Sequence, residues 1–167
     1  MEVSLKVITI GDFPLLQILL ERCSDYLTFQ DEEAVKPSAA QDLFNIKPDG
    51  VKVDDKVLLS IVSDQKQLVG VFDLLKGYPD PTTLNLGLML LEPSSRGKGI
   101  GTKAYKVLEE WIVSRQFNKV RLGVLFGNEK GLSFWRKMGY IETGEVKPYL
   151  SNKFMVLEKK FGARDVR

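Results

Sequence analysis

Apolar residues occur in short runs or alternations along the chain, punctuated by Gly, Pro and Asp, and these runs predict a succession of strands and helices. SLKVITI (Ser4–Ile10) reads as a strand. Asp12 with Pro14 then opens a helix through Cys23, placing Leu15, Leu16, Leu19, Leu20 and Cys23 on one side. A weaker helical pattern covers Ser38–Phe44 and is broken by Pro48, Asp49 and Gly50. VLLSIVSD (Val57–Asp64) and QLVGVFDLL (Gln67–Leu75), joined by a short polar turn, predict an antiparallel hairpin. GYPDP is a loop, and TLNLGLMLLEP (Thr83–Pro93) is a further strand. From about Ile100 to Arg115 the residues Ile100, Ala104, Val107, Leu108 and Trp111 form one stripe, the spacing of a helix that packs one face on a sheet. KVRLGVLF (Lys119–Phe126) is the next strand. Asn128 then caps a short helix carrying Leu132, Trp135 and Met138, which stops at Gly139, a residue suited to a left-handed C-cap. Strands near Ile141–Glu145 and Lys153–Lys160 follow, and FGARDVR reads as a frayed tail. The order βααβββαβαββ predicts an α+β fold, a mixed and mostly antiparallel sheet of seven strands flanked by four helices.

Composition narrows the chemistry. A chain of 167 residues with 44% apolar content predicts one domain over 1–167. Lys and Arg number 24 against 22 acidic residues, which gives no electrostatic case for a nucleic acid or an anionic membrane as partner. The absence of histidine excludes Ser-His-Asp and Cys-His catalysis, imidazole proton shuttling and most zinc sites, and no metal is expected. Cys23 is the single cysteine, so no internal disulfide can form, and its apolar helical setting reads as a buried small hydrophobe. Nothing near Met1 resembles a signal peptide and no apolar run approaches about 18 residues, so a cytoplasmic protein is expected.

Three glycines in RGKGIG (Arg96–Gly101) separate the strand ending at Pro93 from the following helix. A strand that runs through a glycine turn into a helix aims unpaired backbone N–H groups, and the positive end of the helix dipole, at one point, which suits an anion. The alternative is a glycine turn that only reverses the chain. Two phosphate loops fit badly: Thr102 stands where GxxxxGK[ST] needs its second Gly, and Thr102–Lys103 interrupts GxGxxG after Gly101.

The pattern Arg96-x-x-Gly99-x-Gly101 after an apolar strand resembles the acyl-CoA diphosphate loop of the GNAT acetyltransferase superfamily. A second segment, NEKGLSFWRKMGY from Asn128, resembles that family's Asn-x-x-Ala helix in register, with Gly131 for the Ala, Gly139 for the Gly and Tyr140 for the Phe. The element order agrees from Ser4 to Phe161. The resemblance implies an acyltransferase fold and acetyl-CoA as cosubstrate, its diphosphate wrapped by the main chain of Gly97, Lys98, Gly99, Ile100, Gly101 and Thr102, with charge added by Arg96, Lys98 and Lys103. Asn128, Gly131 and Trp135 would line the cofactor, Trp135 standing either in its slot or in the core. If the strands ending near Glu92 and Phe126 run parallel and splay, pantetheine can lie between them on exposed main-chain groups. The family makes these contacts at the end of the first strand, often at a β-bulge, which maps to Met89, Leu90 and Leu91, with the Leu90 N–H aimed at the acetyl oxygen.

The implied reaction is attack by an amine on the thioester of acetyl-CoA. Asp73 interrupts an apolar strand and is the leading base, against the alternative of an Asp on a wet sheet face. Asn85 interrupts the neighbouring strand and could orient substrate or water. Glu92 is expected to face solvent, and Tyr26, Tyr78 and Tyr149 fall in predicted loops that could border the acceptor. Trp135 replaces the family's usual Tyr acid and cannot protonate a thiolate, which leaves Tyr140 or Ser133 as substitutes, although Tyr140 also fits a core position. The leading reading is a small-molecule N-acetyltransferase. A protein lysine or N-terminal acceptor, or an acyl-CoA-binding module without turnover, is the alternative. Acceptor choice would reside in the segments Asp25–Gln30 and Gly77–Pro81, and both a monomer and a homodimer are open.

Overall fold

A computed structural model describes residues 2–162, so residues 163–167 of the predicted tail lie outside the described chain. Its strands are β1 (Val3–Val7), β2 (Lys56–Ser63), β3 (Leu68–Lys76), β4 (Thr83–Leu91), β5 (Lys119–Leu125), β6 (Ile141–Tyr149) and β7 (Asn152–Lys160). Its helices are α1 (Phe13–Arg22), α2 (Ser24–Asp31), α3 (Ala39–Asn45), α4 (Ile100–Ser114) and α5 (Glu129–Lys137). The strands form one sheet in the order β1-β2-β3-β4-β5-β7-β6. Every neighbouring pair is antiparallel except β4 and β5, which α4 connects as a crossover.

The two sheet faces carry separate cores. On one, Phe72, Leu84, Leu86, Val120 and Leu122 pack against Ala104, Tyr105, Leu108 and Ile112 of α4 and Leu132 and Trp135 of α5. On the other, Leu58, Val71 and Leu90 pack against Leu16, Leu19, Leu20, Leu27 and Ala40 of the first three helices. Side chains alternate across a strand, so coverage on both faces explains why β3 and β4 read as nearly continuous apolar runs.

Three expectations change. The first predicted helix ends as expected at Cys23, which leaves helical geometry at ψ 21°, but an unpredicted helix, α2, starts one residue later where a loop was expected. α2 escaped the sequence pattern because its apolar residues share no single buried stripe: Leu27 and Tyr26 pack into the helical core, whereas Phe29 stays 43% exposed. In α4 the buried stripe is Ile100, Ala104, Tyr105, Leu108 and Ile112, rotated from the expected one, while Val107 and Trp111 are half-buried. A tyrosine can be fully buried there because the Tyr105 and Tyr140 hydroxyls bond each other at 2.7 Å. The first strand ends at Val7, before a turn in which the Thr9 N–H donates to Asp12 Oδ2 at 2.9 Å.

Candidate active site

The parallel pairing of β4 with β5 runs from Thr83 opposite Lys119 to Leu86 opposite Leu122 and stops. Both strands continue, to Leu91 and Leu125, and the opening between them is a cavity of about 770 Å³. Its walls include Met89, Leu90 and Leu91 of β4, Gly123 and Val124 of β5, Tyr26 and Phe29 of α2, and Asn128, Gly131 and Trp135 at α5.

The divergence begins at a β-bulge. Leu88 faces Asp73 and Leu86 faces Leu74, so Gly87 is an extra residue on β4. The bulge therefore precedes Met89 rather than falling on Met89–Leu91, and it reverses which main-chain groups face outward. The Glu92 N–H donates to the Val69 carbonyl at 2.8 Å, and Val71 stands opposite Leu90. Bonded and unbonded pairs alternate in an antiparallel ladder, so Leu90 turns its N–H toward β3, whereas Met89 and Leu91 turn theirs toward the opening. The expected Leu90 donor is thus corrected to its neighbours, and the Leu90 side chain is buried against the α1 core. The Leu91 carbonyl accepts Arg96 Nε at 2.8 Å.

The glycine turn stands at the mouth of this opening. Gly97 (φ 71°) and Gly99 (φ 80°) are left-handed, with open space where a side chain would project, so backbone conformation is what requires glycine there. Gly99 is the N-cap of α4, and the first-turn N–H groups of Ile100, Gly101 and Thr102 have no acceptor four residues back. Gly97, Gly99, Gly101 and Thr102 line the cavity. The Ile100 side chain is buried in the core and that of Lys98 is exposed, and neither residue lines the cavity. Arg96 is already engaged: its guanidinium grips Asp25 at 2.6 and 3.3 Å, tying the turn to α2. That contact holds the Asp25 carboxyl below its ordinary range.

At α5, Asn128 caps the helix by accepting the Gly131 N–H at 3.0 Å. Trp135 is both core and lining, 8% exposed and edge-on to Tyr105, Phe134 and Tyr140. Neither Tyr140 nor Ser133 lines the cavity, and the Tyr140 hydroxyl is bonded to Tyr105 in the core. Tyr26 does line it, from helix α2 rather than from a loop, and burial raises its pKa.

A second cavity, of about 530 Å³, adjoins the first, sharing Gln30, Gly87, Leu88 and Phe154. Asp73 belongs to its wall and is 9% exposed, so the sheet face there is buried rather than wet. A side chain on Gly87 would stand 3.2 Å from Asp73 Oδ2, which places this carboxylate over the bulge. Burial raises the Asp73 pKa, with the ammonium of Lys56 opposing. Asp31, Glu33 and Asp42 also line the cavity, with Lys36. Asp31 accepts the Tyr149 hydroxyl at 2.7 Å, and Ser151 bonds Glu32 through its N–H and hydroxyl, so the β6–β7 turn fastens the end of α2. Tyr149 closes β6 instead of lying in a loop, and burial followed by the Asp31 contact pushes it up to about 12.

Several expected residues fall elsewhere. Asn85 lines neither cavity, because it precedes the bulge on the paired part of β4. Tyr78 and the Gly77–Pro81 loop also line neither, since they lead into the start of β4 and the opening is at its end. Glu92 is buried, pairing with Arg22 at 3.2 Å and accepting from Ser94 and Ser95. Phe29, Lys130, Phe134 and Phe154 line the first cavity without having been singled out in sequence. Phe154, on the face of β7 that meets Gly123, could be found only from strand pairing.

The fold, a sheet opened between two parallel strands with a glycine turn at its mouth, belongs to a recognised class. The sequence model of the acetyltransferase (GNAT) family matches residues 18–140, and the chain belongs to this family. A stretch of 72 residues is 31% identical to an N-acetyltransferase 9-like protein of Nematostella vectensis, and the match spans 41% of this chain and 36% of that relative's length. Spermidine N-acetyltransferase from Vibrio cholerae, solved with CoA and spermine, is similar in fold at TM-score 0.77 and 16% identity, over 95% of both chains. AAC(6')-Ib, solved with ribostamycin and coenzyme A, has TM-score 0.77 and 17% identity over 96% of this chain and 94% of its own. No helix among the described residues is long and apolar enough to cross a membrane.

Proposed function

We propose that this protein is an acetyl-CoA-dependent N-acetyltransferase acting on a primary amine of a small molecule. The observation that carries the reading is the opening between β4 and β5 beyond Leu86 and Leu122, with the α4 N-terminus at its mouth. Acetyl-CoA supplies a thioester whose acetyl group passes to the amine, releasing an acetamide, the CoA thiol and one proton. The N–H groups from Gly97 to Thr102 hold the diphosphate. The Met89 carbonyl and the Leu91 N–H offer β-like hydrogen bonds to the pantetheine amides. The Met89 N–H serves as the oxyanion donor, a contact worth roughly 10²–10³ in rate.

The second cavity takes the acceptor. Its carboxylates suit a cationic amine, and Asp31 and Asp42 accept from the neutral donors Tyr149 and Ser38. A lysine-like amine of pKa about 10.4 is neutral in only about one molecule in a few thousand at pH 7, so a base is needed. Asp73, on the wall of the second cavity beside the shared Gly87, removes that proton directly or through water. A thiolate of pKa about 8.5, by analogy with cysteine, leaves without an acid.

Trp135 favours a second reading, binding of acyl-CoA without turnover. Incubation with acetyl-CoA and a panel of small amines and amine-bearing peptides, following free thiol, separates the two, with CoA calorimetry alongside. Binding with thiol release on small amines supports the proposal, and release on peptides alone moves the acceptor to proteins. Binding without release favours the second reading. No association at millimolar CoA overturns both.

A further inference from the structure

Lys56 opens β2, and its side chain is only 6% exposed. It lies one strand away from the cavity wall, opposite Leu75, with Leu58 opposite Asp73. Side chains two apart share a sheet face, so Lys56 and Asp73 come from neighbouring strands onto the face that α1, α2 and α3 cover. The Lys56 ammonium ends 2.5 Å from Asp73 Oδ1. The contact is a buried ion pair, with the side chains of Lys56 and Asp73 6% and 12% exposed.

We propose that Lys56 is a positioning residue for the base: its buried ammonium keeps the Asp73 carboxylate ionised and turned over the Gly87 bulge, and so sets the pH range in which Asp73 accepts a proton. This rests on the reading of Asp73 as the base given above. Burial alone favours the neutral acid, which cannot take a proton, and an opposite charge within a few ångströms restores the ionised form. The two influences act on Asp73 in that opposed way, burial being the larger. From β4 the neighbours are Gly87 and Leu88, which carry no charge. Across the cavity stand Asp31 of α2, Glu33 and Lys36 beyond it, Asp42 of α3 and Tyr149 of β6. Lys36 is paired with Glu33 at 3.2 Å, and Lys56 is the cation in contact with Asp73. Removal of its charge leaves burial unopposed and shifts Asp73 further toward the neutral acid.

The test is a ¹³C NMR titration of the Asp73 carboxyl in the full chain without ligands, the signal being assigned by its loss in Asp73→Asn. Lys56→Met and Lys56→Gln are expected to move the midpoint to higher pH, and Lys56→Arg to hold it near the wild-type value. An unmoved midpoint in either charge-removing variant overturns the proposal. If both unfold while Lys56→Met/Asp73→Asn folds, the stranded carboxylate is the cause and the proposal stands. If the double variant also unfolds, Lys56 serves packing and the proposal fails. In parallel, the acid limb of kcat/KM with the best amine of the panel should move with the midpoint and lower the rate at pH 7 by up to about 10²-fold, within the contribution of a general base. Should Asp73→Asn leave that profile unchanged while Lys56 still governs the titration, the base assignment fails and the control of charge by Lys56 survives.

Discussion

The two adjoining cavities are built from different material. The larger presents main chain at its opening and mouth: two strand ends that part after Leu86 and Leu122, left-handed turns at Gly97 and Gly99, and the first turn of α4, with Phe134, Trp135 and Phe154 among the side chains that wall it. The smaller is made of side chains drawn from distant parts of the chain, with Asp73 from β3, Asp31 from α2, Asp42 from α3 and Tyr149 from β6. A main-chain site constrains its ligand to one geometry of hydrogen bonds, whereas a side-chain site can be refitted by substitution without moving the fold. The difference is what the proposed function calls for, a fixed cosubstrate in the larger cavity and a variable acceptor in the smaller.

Variants that separate the two cavities probe this contrast. Gly99→Glu should have the largest effect: φ 80° disfavours any side chain, and the carboxylate projects into the open space at the mouth. Calorimetry should show CoA affinity falling at least about 100-fold, the order expected when charge repulsion replaces anion contacts, with circular dichroism unchanged. Survival of binding would remove the diphosphate assignment. Asp73→Asn should leave CoA affinity intact and lower turnover at neutral pH by about 10²–10⁴-fold, with partial recovery as pH rises and more amine becomes neutral. An unaltered pH–rate profile would exclude it as the base.

Asn128→Ala tests a side chain whose task in the larger cavity is local. Loss of the cap on α5 should cost about 1 kcal/mol in denaturant unfolding, with CoA affinity weakened less than by Gly99→Glu. Asp25→Asn should have the smallest effect. Its pairing with Arg96 is well exposed, so its worth is held below about 1 kcal/mol by solvent. Because the pairing lowers the Asp25 pKa, its contribution is present above about pH 4, the unfolded value, and is lost as pH falls through the lower folded value. Stability curves of variant and wild type should therefore differ at neutral pH and converge in acid.

The fold was largely legible because its strands and the long helix carry strong local patterns, and because both sheet faces are apolar enough to betray burial in β3 and β4. The helix α2 was not, since its apolar residues share no single buried stripe. Glu92 read as exposed because a carboxylate before a proline gives no hint of the Arg22 that meets it 70 residues away in sequence. Turn residues mark Gly77–Pro81 as a loop, but composition does not say at which end of a sheet a turn will lie.

By itself the sequence determined the glycine turn, the strand before it and the helix after it, because left-handed backbone and helix termini are local properties of a few adjacent residues. It also marked Asp73 as out of place in an apolar run. Only the tertiary structure decided that an extra residue at Gly87 turns Met89 rather than Leu90 toward the opening, that Arg96 holds Asp25, and that Lys56 reaches Asp73. Those outcomes depend on ladder register and on contacts across strands, where a shift of one residue reverses every orientation.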